Sequence, residues 1–234
     1  MIFRISLTFV FIAAAMLRAS AQTSATPPHN DFQVWNETTI AFPFIKGEDD
    51  KGKSFDKVSL LLLGVLRLGR NRLLPVDERV GFGFDIKLNK NFTFTPSYLY
   101  RHVEPAHGRH ATEHEIRFEV TYEKPFKYFT IKDRPRIEYH ARNSRPDGTI
   151  FRNKLTLKVP IRRDGKELFT PFIADEPFYD FKQKKWNSNE FSVGIGKKLN
   201  GTVSAEAFYL LRNTHLSLPG TTNAVGVNLR FRID

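Results

Sequence analysis

The segment H-G-R-H-A-T-E-H brings His107, His110, Glu113 and His114 within eight residues of one another. Imidazole and carboxylate are the ligand types that zinc, copper and nickel take, so His107, His110 and Glu113 form a candidate metal cluster if a loop folds them together. Their spacing fits no defined zinc motif, and a polar surface loop uses the same residue types. A second chemistry, hydrolysis of a lipid ester, needs a nucleophile, a histidine base and a polar group to orient it. His102, His114 and His140 are the histidines on regular segments, and no local motif couples any of them to a serine. Asp175 and Glu176 adjoin in sequence, but neighbours in a strand point to opposite faces, which rules them out as a catalytic dyad. No catalytic residue and no cofactor is therefore assigned.

The elements that must position these residues are strands. In Pro135 to Asn143, Ile137, Tyr139 and Ala141 share one face, and Arg136, Glu138, His140 and Arg142 the other. The next segment sets Phe151, Leu155, Leu157 and Val159 against Arg152, Lys154, Thr156 and Lys158. Strict alternation of this kind marks a strand whose two faces meet different surroundings. It recurs near 31–42, 56–69, 79–88, 92–103, 112–123, 129–143, 150–160, 167–178, 189–199, 202–213 and 223–234. No segment has a convincing helical period. The alternation also sends His114 to the apolar side while Glu113 and Glu115 point the other way. The glycine-bearing stretches G-F-G-F and V-G-I-G precede no helix, so they cradle no nucleotide and read as small residues in a crowded wall.

Three features select a membrane-spanning barrel over a soluble sandwich. The segments run to about 10–15 residues, longer than the 5–6 typical of soluble sheets. Phenylalanine, with 22 copies, crowds the ends of the apolar faces as interfacial girdles do. Short connections at N-K-N (89–91), K-P-F-K (124–127) and N-G-T (200–202) alternate with longer polar ones such as S-R-P-D-G, the pattern of periplasmic turns against extracellular loops. The expected fold is all-β, an antiparallel up-and-down transmembrane barrel of about 10–12 strands with a polar, ionic lumen. Single-chain bacterial barrels take even strand numbers, so eleven segments imply a missed twelfth or a first segment outside the wall, and twelve is preferred.

On that fold Arg101, Glu115, Arg117, Glu119, Arg136, Glu138, Arg142, Arg152, Lys154, Glu190, Glu206, Arg212 and Arg230 line the lumen. Such a set either neutralises itself as a network that fills a narrow barrel or forms a charged constriction that selects among passing ions. Its surplus of arginine favours anions.

The first residues carry Arg4, the apolar run Leu7 to Leu17 and the small-x-small site Ala19-Ser20-Ala21. This is the pattern of a cleaved secretory signal over 1–21, too short for a spanning helix, with a single barrel domain over 22–234. Removing 1–21 lowers the formal charge only from +11 to +9. The chain has no cysteine, which excludes disulfides, thiolate chemistry and a lipid-modified cysteine. An exported basic protein with no nucleic-acid module points to lipid headgroups and glycolipid phosphates as anionic partners, not nucleic acid. Arg70, Arg72, Lys182, Lys184 and Lys185 are candidate contacts for those phosphates.

The stretches D-F-Q-V-W-N-E (Asp31 to Glu37), R-I-E-Y-H-A-R-N (Arg136 to Asn143), P-F-I-A-D-E-P-F-Y-D (Pro171 to Asp180) and W-N-S-N-E-F-S-V-G-I-G-K-K-L (Trp186 to Leu199) resemble an uncharacterised family of Gram-negative envelope proteins of the DUF2490 type. The resemblance implies an outer-membrane β-barrel and supplies no activity, ligand or catalytic residue. Three readings stay open at this point: a structural barrel or narrow channel for small, anionic solutes; an outer-membrane lipid hydrolase; and a soluble periplasmic barrel with its apolar faces turned inward around a ligand.

Overall fold

A strand that alternates charged and apolar side chains can satisfy both faces only if a closed sheet separates two environments, because closure also pairs every backbone group along its edges. The computed structural model, which describes residues 28–49, 52–106, 109–215 and 217–233, has this form. The expected signal peptide lies outside the described residues. Twelve strands follow one another: β1 (Asn30–Glu48), β2 (Ser54–Gly69), β3 (Leu74–Lys87), β4 (Phe92–Ala106), β5 (Arg109–Pro125), β6 (Thr130–Arg142), β7 (Gly148–Lys158), β8 (Ile161–Arg163), β9 (Lys166–Asp180), β10 (Lys185–Lys198), β11 (Val203–Thr214) and β12 (Thr221–Arg232).

Eleven of these form the wall, each antiparallel to its neighbour in sequence, with β7 pairing directly to β9. The three-residue β8 only folds back on β9 through Asp164-Gly165, whose positive φ values of 52° and 74° are those of a two-residue hairpin turn. The preference for a twelfth wall strand is therefore corrected, and so is the alternative of a first segment outside the wall. The parity rule fails here because β1 closes on β12 in parallel, in register from Asn30↔Thr221 to Ala41↔Arg232. At this seam the Asn36 amide donates to the Val227 carbonyl at 3.0 Å, adding a side-chain bond to the parallel ladder.

Parallel closure puts the start of β1 and the end of β12 at opposite ends of the barrel. We call these the rim, where β1 begins, and the base, where β12 ends. The expected alternation of short and long connections is also corrected. The rim loops 70–73, 143–147 and 181–184 run to only four or five residues, against four in each of the base turns 88–91, 126–129 and 199–202, because the strands themselves run on past the apolar band. S-R-P-D-G is thus a tight rim loop. Its Asp147 accepts the Arg142 backbone N–H at 2.9 Å and the Tyr139 hydroxyl at 3.0 Å, which hold its carboxyl below the usual range.

The two faces separate as the alternation requires. Val80, Phe82, Ile116, Phe118, Ile137, Leu155, Ile173, Phe191, Val193, Val225 and Val227 are exposed on the outside. Aromatic clusters flank this band. Tyr179, Phe181 and Trp186 pack edge to face near the rim, and Phe92 with Tyr122 and Phe126 with Phe129 lie near the base. The inward-apolar arrangement that a soluble ligand carrier requires is not the one found. The interior is not purely ionic either: Trp35, Leu210 and Ala224 are buried together on the β1, β11 and β12 side, with Phe208 against them. Gly81 makes room for Leu99, which is wholly buried, since a Cβ there would collide with the Tyr98 carbonyl and the Leu99 backbone.

Candidate functional site: a charged lumen

The inward positions of β2 to β7 and β9 to β11 carry an almost unbroken chain of ion pairs. Near the rim, Asp77 takes Arg79 at 2.6 Å, Arg101 at 2.9 Å and Arg67 at 3.4 Å. Arg101 also reaches Glu113 at 2.9 Å, and Arg79 reaches Glu115 at 3.2 Å. Glu115, wholly buried, is gripped in addition by Arg117. His140 sits among three carboxylates, 3.1 Å from Glu113, 3.4 Å from Glu115 and 3.3 Å from Glu138. At mid-height Glu138 bridges Arg136 at 2.9 Å and Arg152 at 3.3 Å, and Arg152 continues to Glu176 at 3.0 Å and Glu190 at 3.7 Å. Glu190 is bound by Arg212, and Glu119 by Arg136 at 2.7 Å.

Register explains why these groups meet. Residues directly opposite on antiparallel strands stand about 4.5–5.5 Å apart, so Arg101↔Glu113, Arg117↔Glu138 and Glu190↔Arg212 are cross-strand ion pairs fixed by the ladder. Two guanidinium groups also stack on the buried ring of Trp35, Arg67 at 3.8 Å and Arg212 at 4.9 Å from its centroid, and Arg152 lies 4.0 Å from that of Phe178. Such contacts are worth roughly 0.5–2 kcal/mol each.

Inward side chains of the rim half such as Asp31, Gln33, Asp77, Glu113 and Glu115 are buried, and open space lies toward the base. A cavity of about 650 Å³ opens there, lined by Lys132, Arg134, Arg136, Lys158, Arg162, Lys197, Lys198 and Arg230 against Glu37, Asp85, Glu119, Glu123, Glu167 and Glu206. Above it is a pocket of about 80 Å³ whose charged lining is Arg67, Arg79, Arg117, Arg134, Arg136, Arg152 and Lys154 against Glu37, Glu176, Glu190 and Glu206. Cations outnumber carboxylates at both levels.

Of the lumen set named from sequence, Arg101, Glu115, Arg117, Glu119, Arg136, Glu138, Arg152, Glu190 and Arg212 belong to the chain of pairs just described. Arg142 joins it at the rim through Glu113 at 3.4 Å. Glu206 pairs with Lys158 at 3.2 Å and Arg230 with Asp85 at 2.7 Å, both beside the basal cavity. Lys154 lines the upper pocket, with no ion pair to it among the described residues. The lumen set named from sequence does not contain Asp77, Arg79, Glu176, Arg67 and Arg134, nor His140, which the alternation puts on the charged face. Strand parity marks Arg79, His140 and Glu176 as inward, whereas Asp77 precedes the segment as it was delimited and Trp35 breaks the polar pattern.

The candidate metal cluster is not assembled. His107 lies outside the described residues, His110 is exposed and stacks on His102 at 5.2 Å on the outer wall, and Glu113 is buried inside. His110 and Glu113 belong to β5, not to a loop, and three residues apart on a strand they face opposite ways. Glu113, Glu115 and His140 do bring one ligand atom each within 4.8 Å of one another. Arg79, Arg101, Arg117, Arg142 and Arg145 already engage those carboxylates, so a cation would enter against a surrounding positive charge. His140 is walled off from any lipid, and His114 lies on the outer surface with its Nδ1 2.7 Å from the Tyr98 hydroxyl. Of the basic rim residues, Arg70 pairs with Glu104 at 3.1 Å, and Arg72, Lys182, Lys184 and Lys185 are exposed.

Apolar wall outside, ionic interior, closed sheet: the class is a β-barrel with a charged lumen. A family model described as a protein of unknown function (DUF2490) matches residues 32–223, and the chain belongs to that family. No curated protein sequence matches it. Among solved structures, the chain is similar to the NanC porin, at 11% identity and a TM-score of 0.44 over 83% of this chain and 93% of that one. It is also similar to the anion-selective porin from Comamonas acidovorans, at 11% identity and a TM-score of 0.37 over 77% of this chain and 57% of that one.

Proposed function

We propose that the protein is an outer-membrane β-barrel of a Gram-negative bacterium, non-catalytic, whose lumen is a narrow pathway for small anionic solutes. The observation that carries this reading is the pairing of an apolar outer band with a cation-rich cavity of about 650 Å³ at the base and a smaller cation-rich pocket of about 80 Å³ above it. An exposed apolar belt is stable only against lipid, and closure satisfies the backbone groups that hydrocarbon cannot. A constriction lined by arginine in excess favours anions over cations. The ionic chain from Asp77 to Glu138 closes the path toward the rim, so conduction requires those pairs to rearrange.

The base, with the N-K-N, K-P-F-K and N-G-T turns, faces the periplasm in this reading, and the rim faces outward. There Arg72, Lys182, Lys184 and Lys185 meet glycolipid phosphates. The test is conductance of the refolded protein in planar bilayers. Discrete channels with a reversal potential toward the chloride equilibrium are expected, and Arg136→Gln with Arg152→Gln should move that potential toward cations. Absence of current under all voltages, or an unchanged ion preference in the double variant, would remove the lumen as an anion pathway.

A further inference from the structure

Two successive layers of the lumen wall set like charges directly across from each other on β6 and β7. In the upper one Arg136 faces Arg152, and in the lower one Arg134 faces Lys154. Like charges opposite one another in a sheet repel unless something negative stands between them. In the upper layer that something is Glu138, 2.9 Å from Arg136 and 3.3 Å from Arg152. The lower layer has no equivalent. Arg134 approaches Glu119 through its Nε only at 3.5 Å and Glu176 at 3.8 Å, and that buried Nε makes no hydrogen bond among the described residues. Among the described residues no carboxylate lies within ion-pairing distance of Lys154, which feels Glu176, Glu190 and Glu206 only through longer-range attraction.

Space accompanies the missing charge. Arg134 borders both the basal cavity and the pocket above it, and Lys154 borders the upper one. The pocket of about 80 Å³ is several times the roughly 10–15 Å³ that a single water needs on this measure. Access is from the base, past Lys132 and Lys158, which stand below on the same faces of β6 and β7 and line the larger cavity.

We propose that Arg134 and Lys154 form a binding site for a small oxyanion, a carboxylate or phosphate group, which enters from the base and takes at this layer the place that Glu138 takes one layer up. A guanidinium offers two parallel donors to such a group, and an ammonium adds a third donor and a full charge. The oxyanion also supplies the partner that Arg134 Nε lacks. This deepens the anion-pathway reading and rests on the lumen being the working space. It adds that the solute is held, at a defined layer, before it meets the chain of pairs that closes the rim half.

Calorimetric titration of the full chain, folded in detergent, with inorganic phosphate and separately with acetate tests the site. Saturable binding is expected for phosphate, and acetate reports whether a monovalent carboxylate suffices. Lys154→Gln and Arg134→Gln should each weaken binding about tenfold or more, the scale of one charge-assisted hydrogen bond. Lys90→Gln, on an exposed base turn, removes the same charge and should leave it unchanged. A second readout separates binding from folding. Without phosphate, Lys154→Gln should melt at or above the wild-type temperature, because it relieves the facing Arg134. With phosphate, only the wild type should gain stability.

Absence of saturable heat for both anions overturns the site, as does wild-type affinity in Lys154→Gln and Arg134→Gln. Equal losses in Lys90→Gln reduce the effect to overall charge and also overturn it. The two proposals fail separately. Binding without bilayer current keeps the site and removes the pathway, and anion current without binding keeps the pathway and removes the site.

Discussion

At the scale of the residue, burial decides what each charge is for. Glu115 is wholly enclosed and answers Arg79 and Arg117 at once, so its carboxylate is neutralised within the protein, not by water. Removing one member of a buried ionic group leaves its partners desolvated and unpaired, which costs about 3–5 kcal/mol. Glu115→Gln should therefore lower the stability of the folded barrel by about that amount in denaturant titration. Glu123→Gln, which loses only a half-exposed contact with Lys132 at 4.0 Å, should change it by less than about 1 kcal/mol. Equal effects would show that Glu115 is not the hub its contacts describe. The inward set from Arg101 to Arg230 could be named from parity alone, whereas the difference between Glu115, held by several cations, and Lys154, with no carboxylate of the described residues at ion-pairing distance, could not. That difference depends on which strands lie opposite, and so on distances across the ladder.

At the scale of the element, the wall is built by tight cross-strand fits as much as by ladder hydrogen bonds. Gly81 lies across from Leu99, and Gly83 lies across from Ser97. A Cβ at Gly83 would come within 2.7 Å of the Ser97 Cβ, and one at Gly81 would strike the β4 backbone itself. Gly81→Val should thus prevent β3 from pairing with β4 while leaving the hydropathy of the segment intact. The measurement is electrophoresis of the variant with and without boiling, where a closed barrel migrates differently in the unboiled sample. A wild-type mobility shift in Gly81→Val would mean that the close approach is not required for closure. The sequence announced the glycines and their alternation with Phe82 and Phe84, and the G-F-G-F pattern already excluded a nucleotide loop. It did not say that Leu99 was the residue needing the room.

At the scale of the whole molecule, the parallel seam has a consequence for topology. With eleven wall strands, the rim loop 181–184 and the base turn 199–202 lie at opposite ends of the barrel, and the start of β1 does not share an end with the end of β12. The chain contains no cysteine, so single replacements report position without background. Gln183→Cys should react with a membrane-impermeant maleimide on intact cells, and Gly201→Cys should react only after lysis. The reverse pattern would invert the barrel and put the basal cavity at the cell surface. Labelling of both on intact cells would remove the transmembrane arrangement.

The sequence by itself determined the all-β class, the eleven strand segments and which side chains share a face, because a period of two is a local property that each residue carries with its neighbours. It also contained the charge excess that gives the lumen its sign. Only the tertiary structure decided that β1 and β12 run parallel, since the even-number expectation describes antiparallel closure and nothing in either strand records the direction of its distant partner. The same holds for the loops and the site. Connection lengths depend on how far each strand runs past the apolar band. Arg134 and Lys154 face each other only because β6 and β7 meet in one register, while Glu176 lies 3.0 Å from Arg152 and 3.8 Å from Arg134.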